Sequence, residues 1–270
     1  MNAEAPIRNT AVTQVGEVTG DGVLLKGLVM TPRHTGPGDL AVVAGHGFTN
    51  HVTKPATARV LRRLARRLPV IAMDFRGHGR SGGRSSVGRD EVLDLAAGVR
   101  LARRLGYPRV ATIGFSMGGS IALRHAAIEA DVDAVVSVSS PARWFVRQTA
   151  PMRRVHWLVE QPHGRLLARA LGVRLDRPWA DVPASPIEVV HRIDPTPLLI
   201  VHGGRDHYFP VEHAEALHRA AGGGAELWLE EGMGHAETGM TPALVDRIAG
   251  WLSGGASRRA TGGSASGRAA

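Results

Sequence analysis

Val110-Ala111-Thr112-Ile113-Gly114-Phe115-Ser116-Met117-Gly118-Gly119 joins an apolar, β-branched run directly to a Gly-x-Ser-x-Gly pattern. A helix-forming segment, Ser120 to Glu129, follows at once. Strand, tight turn and helix in this order are the setting that a nucleophile elbow requires. Such a turn strains the backbone of its serine, and it needs glycines because strand and helix pass close together. The sequence therefore predicts Ser116 as a catalytic nucleophile, with the Met117 N–H aimed at the oxygen of an attacked carbonyl.

The pattern occurs a second time, at Gly79-Arg80-Ser81-Gly82-Gly83. No strand runs directly into this first glycine, and Gly-Arg-Ser-Ser follows in place of a helix. Loop composition of this kind is typical of a turn. Ser81 is therefore predicted to be an ordinary loop serine.

Length and composition favour one α/β domain with an insertion, or at most two small domains, for the 270 residues. No apolar stretch is long enough to span a bilayer, and Met1 to Thr10 has no secretory signal pattern. The chain has no cysteine, which excludes disulfides, thiolate metal sites and a cysteine nucleophile. We expect a cytoplasmic protein that uses no cofactor and no metal.

The formal net charge of +9 raises the possibility of a nucleic-acid partner. The positive residues are almost all arginine, however, and they are spread along the chain, many on helix faces. This distribution favours a general attraction to anions. We expect no nucleic-acid partner and no membrane span; the composition leaves the oligomeric state open.

Apolar strands alternate with amphipathic helices from Leu40 onward, after an N-terminal hairpin over 12–30. Strands and helices that alternate at this spacing form right-handed βαβ units. The sequence therefore predicts an α/β fold with a mostly parallel central sheet, helices on both faces and a short inserted cap. The predicted divisions are an N-terminal tail (1–10), the core (11–139 and 193–253), the cap (140–192) and a disordered tail (254–270).

Two further residues are placed to complete a catalytic set with Ser116. Asp206 follows a predicted strand that ends near Val201, and His235 follows the last predicted strand. The carboxyl ends of strands in an open α/β sheet form one rim, where ligand sites lie. A serine needs a base within hydrogen-bond reach, and that base needs an orienting acid. We assign His235 as the base and Asp206 as the acid.

Each assignment has a rival. Among 13 histidines, His207 adjoins Asp206 and competes with His235. Asp194 is the alternative acid, although it precedes a strand and so belongs at the opposite end of the sheet. The order Ser116, Asp206, His235 along the chain is the order found in enzymes with a nucleophile elbow.

An oxyanion intermediate needs two hydrogen-bond donors. The Met117 N–H is one candidate, and the Phe48 N–H is the other because Gly45-His46-Gly47-Phe48 also leaves a strand on the same rim. A plain tight turn is the alternative explanation of Gly45 and Gly47.

Together these motifs resemble the α/β-hydrolase superfamily, and within it bacterial carboxylesterases and serine-aminopeptidase-like or monoacylglycerol-lipase-like hydrolases. The resemblance covers about residues 11 to 252 and rests on Gly45-His46-Gly47-Phe48, Asp74-Phe75-Arg76-Gly77-His78-Gly79-Arg80-Ser81, Gly114-Phe115-Ser116-Met117-Gly118-Gly119, His202-Gly203-Gly204-Arg205-Asp206 and Gly232-Met233-Gly234-His235. The first of these motifs differs from the Gly-Gly-Gly type of some esterases. The resemblance implies the α/β-hydrolase fold and an ester-cleaving enzyme, without specifying a substrate.

The substrate pocket is predicted at His46, Trp144 and Trp157. Apolar cap residues could line an acyl pocket or could only pack the cap onto the core. The cap arginines could attract an anionic acyl substrate or form a solvated basic face; they are Arg143, Arg147, Arg153, Arg154, Arg165 and Arg169.

The predicted function is that of a serine hydrolase, a carboxylesterase that works through an acyl-enzyme. A thioesterase, an acyltransferase or an aminopeptidase-type amidase could use the same three residues. A non-catalytic ligand-binding protein of the same fold is the alternative from another class.

Overall fold

The computed structural model describes residues 10–33 and 39–262, and a twisted sheet runs through its centre. The strand order is β1-β2-β4-β3-β5-β6-β7-β8, parallel from β4 to β8, with β2 antiparallel to both β1 and β4. The strands are β1 (Thr10–Val18), β2 (Leu24–Pro32), β3 (Leu40–Gly45), β4 (Val70–Met73), β5 (Arg109–Phe115), β6 (Ala134–Val138), β7 (Leu198–Gly203) and β8 (Ala225–Glu230).

Helices cover both faces of the sheet, because the central strands β3 to β7 are mainly apolar on both sides and buried, apart from the half-buried Arg109 at the start of β5. One core cluster packs α1 and α9 against the sheet, and the other packs α2, α3 and α7 against the opposite face. The helices are α1 (Pro55–Leu64), α2 (Glu91–Arg104), α3 (Met117–Glu129), α4 (Ala150–Glu160), α5 (Pro162–Ala170), α6 (Pro186–Val189), α7 (Glu212–Ala221), α8 (Ala236–Gly239) and α9 (Pro242–Gly262).

The predicted fold class, an α/β fold with a mostly parallel sheet and an inserted cap, is confirmed. The N-terminal hairpin forms β1 and β2 at the sheet edge, as its alternating pattern predicts. Residues 1–9 of the predicted N-terminal tail lie outside the described residues.

The cap lies between β6 and β7, but its C-terminal boundary differs from the predicted one. Val190 and Ile193, in a 3-10 helix that follows α6, are buried in the core cluster with α3 and α7. Residues 186–193 therefore belong to the core by packing, and the part that covers the site ends near Ser185.

Short backbone contacts hold the cap to the core. Ser85 donates its N–H to the Arg174 carbonyl at 2.7 Å, and Asp176 donates to the Ser85 carbonyl at 2.8 Å. The Thr149 hydroxyl, at the start of α4, donates to the Tyr208 carbonyl at 2.9 Å. These contacts fix the start of α4 and the segment after α5 beside the loops that follow β7 and β4.

The last helix also differs from the prediction. The sequence predicts its end at Leu252, whereas α9 continues to Gly262. The remainder of the predicted disordered tail, 263–270, lies outside the described residues. Within residues 10–33 and 39–262, no helix has the length and apolar character that a bilayer span requires.

Candidate active site

Ser116 occupies a turn between β5 and α3 with a backbone φ of +52°. This conformation is strained for any residue with a side chain. A Cβ on Gly114 would lie 2.0 Å from the Gly118 carbonyl oxygen, and one on Gly118 would lie 2.4 Å from the Gly45 carbonyl oxygen. The two glycines are required because the helix backbone passes directly against β5 and β3.

The structure brings Ser116, His235 and Asp206 together at the carboxyl end of the sheet. The His235 Nε2 lies 3.0 Å from the Ser116 Oγ, and the His235 Nδ1 lies 2.7 Å from the Asp206 Oδ2. With Nδ1–H donated to the carboxylate, the Nε2 lone pair faces the hydroxyl and can accept its proton.

The loop after β7 keeps the Asp206 side chain ionised although that side chain is fully buried. Burial raises the pKa of Asp206, but the hydrogen bond and charge of His235 outweigh this effect. The backbone N–H groups of Tyr208 and Phe209 also donate to the Asp206 Oδ1, at 2.9 and 3.1 Å. The pKa of Asp206 therefore lies below its ordinary value, and the carboxylate is available to orient His235.

The rival residues lie elsewhere. His207 is exposed and its ring lies tilted against that of Tyr208, with ring centroids 4.8 Å apart. Asp194 is exposed and precedes β7, so it lies at the opposite end of the strand from Asp206.

The loop that is predicted to supply an oxyanion donor, residues 45–48 (named here the oxyanion loop after that prediction), ends β3 and faces Ser116. A Cβ on Gly47 would be 3.5 Å from the Ser116 Cβ. The Phe75 N–H donates to the His46 Nε2 at 2.9 Å, so the His46 Nδ1 carries the proton and donates to the Gly47 carbonyl, also at 2.9 Å. In a trans peptide the C=O and the following N–H point in opposite directions. The Phe48 N–H therefore points away from His46.

A cavity of about 500 Å³ opens at Ser116 between the core and the cap. Phe48 and Met117 line it beside the serine, and its walls are mainly apolar and aromatic. The cap and the loops of the core contribute Val87, Trp144, Phe145, Met152, Val155, Val159, Leu175, Trp179, Val182, Tyr208 and Phe209 to this wall.

Four charged residues of the cap line this cavity, namely Glu160, Arg165, Asp176 and Arg177, and the first two are engaged within the protein. Arg165 donates to the backbone carbonyls of Val159, at 3.2 Å, Leu175, at 3.3 Å, and Asp176. Glu160 accepts hydrogen bonds from Arg147 and His156. Of the six cap arginines singled out in the sequence, only Arg165 is among the residues that line this cavity.

The predicted pocket residues divide into one that lines the cavity and two that do not. Trp144 lines it and donates its indole N–H to the Pro183 carbonyl at 2.8 Å. The prediction for His46 is corrected: it is buried behind the oxyanion loop, where it holds the Gly47 carbonyl. The prediction for Trp157 is corrected as well, because Trp157 lies on the exposed side of α4, outside the cavity lining.

Sequence reasoning missed three residues of the site. Tyr208 lies with its ring 4.4 Å from that of His235, and Phe209 meets the same imidazole edge-on at 5.5 Å. Glu237, two residues after His235, accepts the Gly47 N–H at 2.9 Å. The nearness of Tyr208 and Phe209 to Asp206 was a usable signal, but nothing in the sequence linked Glu237 to a loop that precedes it by 190 positions.

Comparison with known proteins agrees with the fold. The family model of the alpha/beta hydrolase fold matches residues 41–166. A monoacylglycerol lipase of Mycolicibacterium smegmatis is 28% identical over 253 residues, which cover 78% of this chain and 87% of that protein. The esterase Pf2001 of Pyrococcus furiosus superposes with a TM-score of 0.70 and 25% identity, over 90% of this chain and 92% of that chain.

A more distant structure shows the same fold. The alpha/beta hydrolase GrgF of a Penicillium species has a TM-score of 0.72 at 20% identity, over 92% of this chain and 99% of that chain. The fold and the elbow are those of the α/β-hydrolase class. The matched family model, the monoacylglycerol lipase and the esterase support a member of the α/β-hydrolase superfamily, as the motifs indicate.

Proposed function

We propose that this protein is a serine hydrolase that cleaves carboxylic esters through Ser116, His235 and Asp206. At the level of reaction class, the similarity to a monoacylglycerol lipase and to an esterase supports a hydrolase of ester bonds. The observation that carries the finer proposal is the hydrogen-bonded series from the Asp206 carboxylate through His235 to the Ser116 hydroxyl.

In the first half of the proposed reaction, the Ser116 Oγ attacks the ester carbonyl carbon while the His235 Nε2 takes its proton. The carbonyl oxygen becomes an oxyanion, which accepts hydrogen bonds from the N–H groups of Phe48 and Met117. The intermediate collapses, the bond to the alcohol oxygen breaks, and His235 returns the proton to the departing alcohol. An acyl group remains on Ser116.

In the second half, His235 removes a proton from water, and the resulting hydroxide attacks the acyl carbon. The second oxyanion occupies the same two N–H donors. Its collapse breaks the bond to Ser116, which regains its proton from His235, and the acid leaves. Asp206 keeps His235 in the tautomer that each step needs and stabilises the imidazolium.

The cavity supports an ester whose larger group is apolar or aromatic. Its wall is mainly aliphatic and aromatic; the charged groups of Glu160 and Arg165 have partners in the protein, and Asp176 and Arg177 also line the cavity. A mainly apolar acyl group is therefore preferred in this proposal.

A fluorophosphonate probe tests the nucleophile. The probe should label the wild-type protein at Ser116, as read by mass spectrometry of the peptide, because it reacts with a serine activated by a neighbouring base. The Ser81→Ala variant, altered in the second Gly-x-Ser-x-Gly, should label as the wild type does, and Ser116→Ala should not. Labelling of folded Ser116→Ala at the wild-type rate would contradict the proposal.

A further inference from the structure

Glu237 is a carboxyl group inside the site that the proposed reaction does not use. It lies in α8, two residues after His235, and only 1% of its surface is exposed. Burial raises its pKa. A buried carboxyl group is unfavourable unless hydrogen bonds satisfy it, so its contacts indicate why it is there.

Those contacts reach the oxyanion loop. The Glu237 Oε1 accepts the Gly47 N–H at 2.9 Å and lies 3.5 Å from the Thr57 hydroxyl. Its Oε2 would be 3.3 Å from a Cβ on Gly47, and the Asn50 side chain also hydrogen-bonds the carboxyl group. The carboxyl group therefore lies directly against the peptide that precedes the Phe48 N–H.

The backbone of α8 is itself fixed. Arg59, on α1, donates to the Glu237 carbonyl at 2.9 Å and to the Met240 carbonyl at 2.6 Å. The Ala236 N–H, next to His235, donates to the Ser139 hydroxyl at 3.0 Å. The base of Glu237 is thus anchored to the same segment that presents His235.

Three of the four backbone polar groups of Gly47 and Phe48 have hydrogen-bond partners within the protein. The Gly47 N–H is taken by Glu237, the Gly47 carbonyl by His46, and the Phe48 carbonyl lies within hydrogen-bond distance of the His78 Nε2. The Phe48 N–H is the remaining polar group of these two residues, and Phe48 lines the cavity with Ser116.

We propose that Glu237 is a positioning residue for the oxyanion hole: by holding the Gly47 N–H it fixes the Phe48 N–H relative to His235 and Ser116. This inference rests on the proposed function. The role of Glu237 is geometric. The length of its side chain and its acceptor oxygen determine the position of the Phe48 N–H, whereas the negative charge of the carboxylate is not required.

Three variants distinguish the contributions of side-chain length, acceptor oxygen and negative charge at position 237. Glu237→Gln keeps the length and an acceptor oxygen, Glu237→Asp keeps the charge but is one methylene shorter, and Glu237→Met keeps the length without a comparable acceptor. We expect kcat on a p-nitrophenyl ester to fall about tenfold to a hundredfold in the Asp and Met variants, with KM changed less than about threefold. Glu237→Gln should stay within about threefold of the wild type.

Affinity for an alkyl trifluoromethyl ketone gives a second readout. The ketone forms a tetrahedral adduct on the serine whose oxyanion occupies the hole, so its affinity should fall in parallel with kcat/KM. A purely structural role would lower the melting temperature without this parallel loss.

The kinetics and folding of the Glu237 variants can either support or contradict the positioning role. Wild-type kcat in Glu237→Asp and Glu237→Met, or a loss in folded Glu237→Gln as large as theirs, overturns the inference. Failure of both the Asp and the Met variant to fold beside a folded Gln variant also overturns it, in favour of a structural role. Undiminished hydrolysis by Ser116→Ala in the same assay would instead remove the proposed function.

Discussion

The two Gly-x-Ser-x-Gly segments share a pattern and differ in everything that surrounds the serine. The Ser116 hydroxyl lies in the cavity, 3.0 Å from the His235 Nε2. Ser81 is 2% exposed, and its hydroxyl accepts the Lys26 N–H at 2.9 Å and donates to the Asp74 carbonyl. One hydroxyl faces a base and a space for substrate; the other joins a loop to β2 and to the residue that follows β4.

The glycines are needed in both segments, but for different reasons. Gly79 has a φ of +46°, and a Cβ there would lie 2.2 Å from the Asp74 carboxylate. A Cβ on Gly114 would lie 2.0 Å from the Gly118 carbonyl oxygen, in the backbone of α3. A glycine pattern alone therefore cannot distinguish an elbow from a loop; the strand and helix that flank it do.

Ser116→Ala should produce the largest effect on turnover. We expect kcat on a p-nitrophenyl ester to fall by at least about 10⁴-fold, since loss of the nucleophile removes the acyl-enzyme route. Steady-state kinetics with purified protein measure this. The melting temperature provides the control: it should change little, because this hydroxyl lies in the cavity and hydrogen-bonds to His235.

Asp206→Asn should have the next largest effect. An amide in place of the carboxylate favours the wrong tautomer of His235 and cannot stabilise the imidazolium, which costs up to about 10⁴-fold in kcat in related catalytic sets. The matched control is Asp194→Asn, at the other end of β7, which should retain wild-type kcat. Equal activity of Asp206→Asn and Asp194→Asn would show that Asp206 does not orient the base.

Much of the fold follows from the sequence because its signals are local. The apolar runs of β3 and β6 and the amphipathic spacing of α2 are signals carried by consecutive residues, and the structure has the corresponding strands and helix there. Local sequence also predicts the elbow, because an apolar strand, a Gly-x-Ser-x-Gly pattern and a helix follow one another directly. The rim position of Asp206 and His235 follows from sheet topology, which local patterns determine.

The remaining features depend on contacts between distant segments. The sequence predicts both His46 and Trp157 as pocket residues. The orientation of His46 depends on its contact with the Phe75 N–H, and that of Trp157 depends on the packing of α4. The predicted C-terminal end of the cap, residue 192, lies too far along the chain. The reason is that Val190 and Ile193 are core residues within a polar, proline-rich stretch. The contact between Glu237 and Gly47 has no signature in one sequence.

Ser81→Ala should have the smallest effect on turnover and should instead reduce stability. Removing the hydroxyl leaves the buried Lys26 N–H and Asp74 carbonyl without this partner, which should lower the free energy of unfolding by about 1 to 3 kcal/mol. Urea unfolding measures that change, and kcat should stay within about threefold because Ser81 is not among the residues that line the cavity. Ser116→Ala should show the reverse, with turnover lost and stability kept. If both variants lost stability alone, or both lost turnover alone, the distinction between a catalytic and a structural Gly-x-Ser-x-Gly in this chain would be wrong.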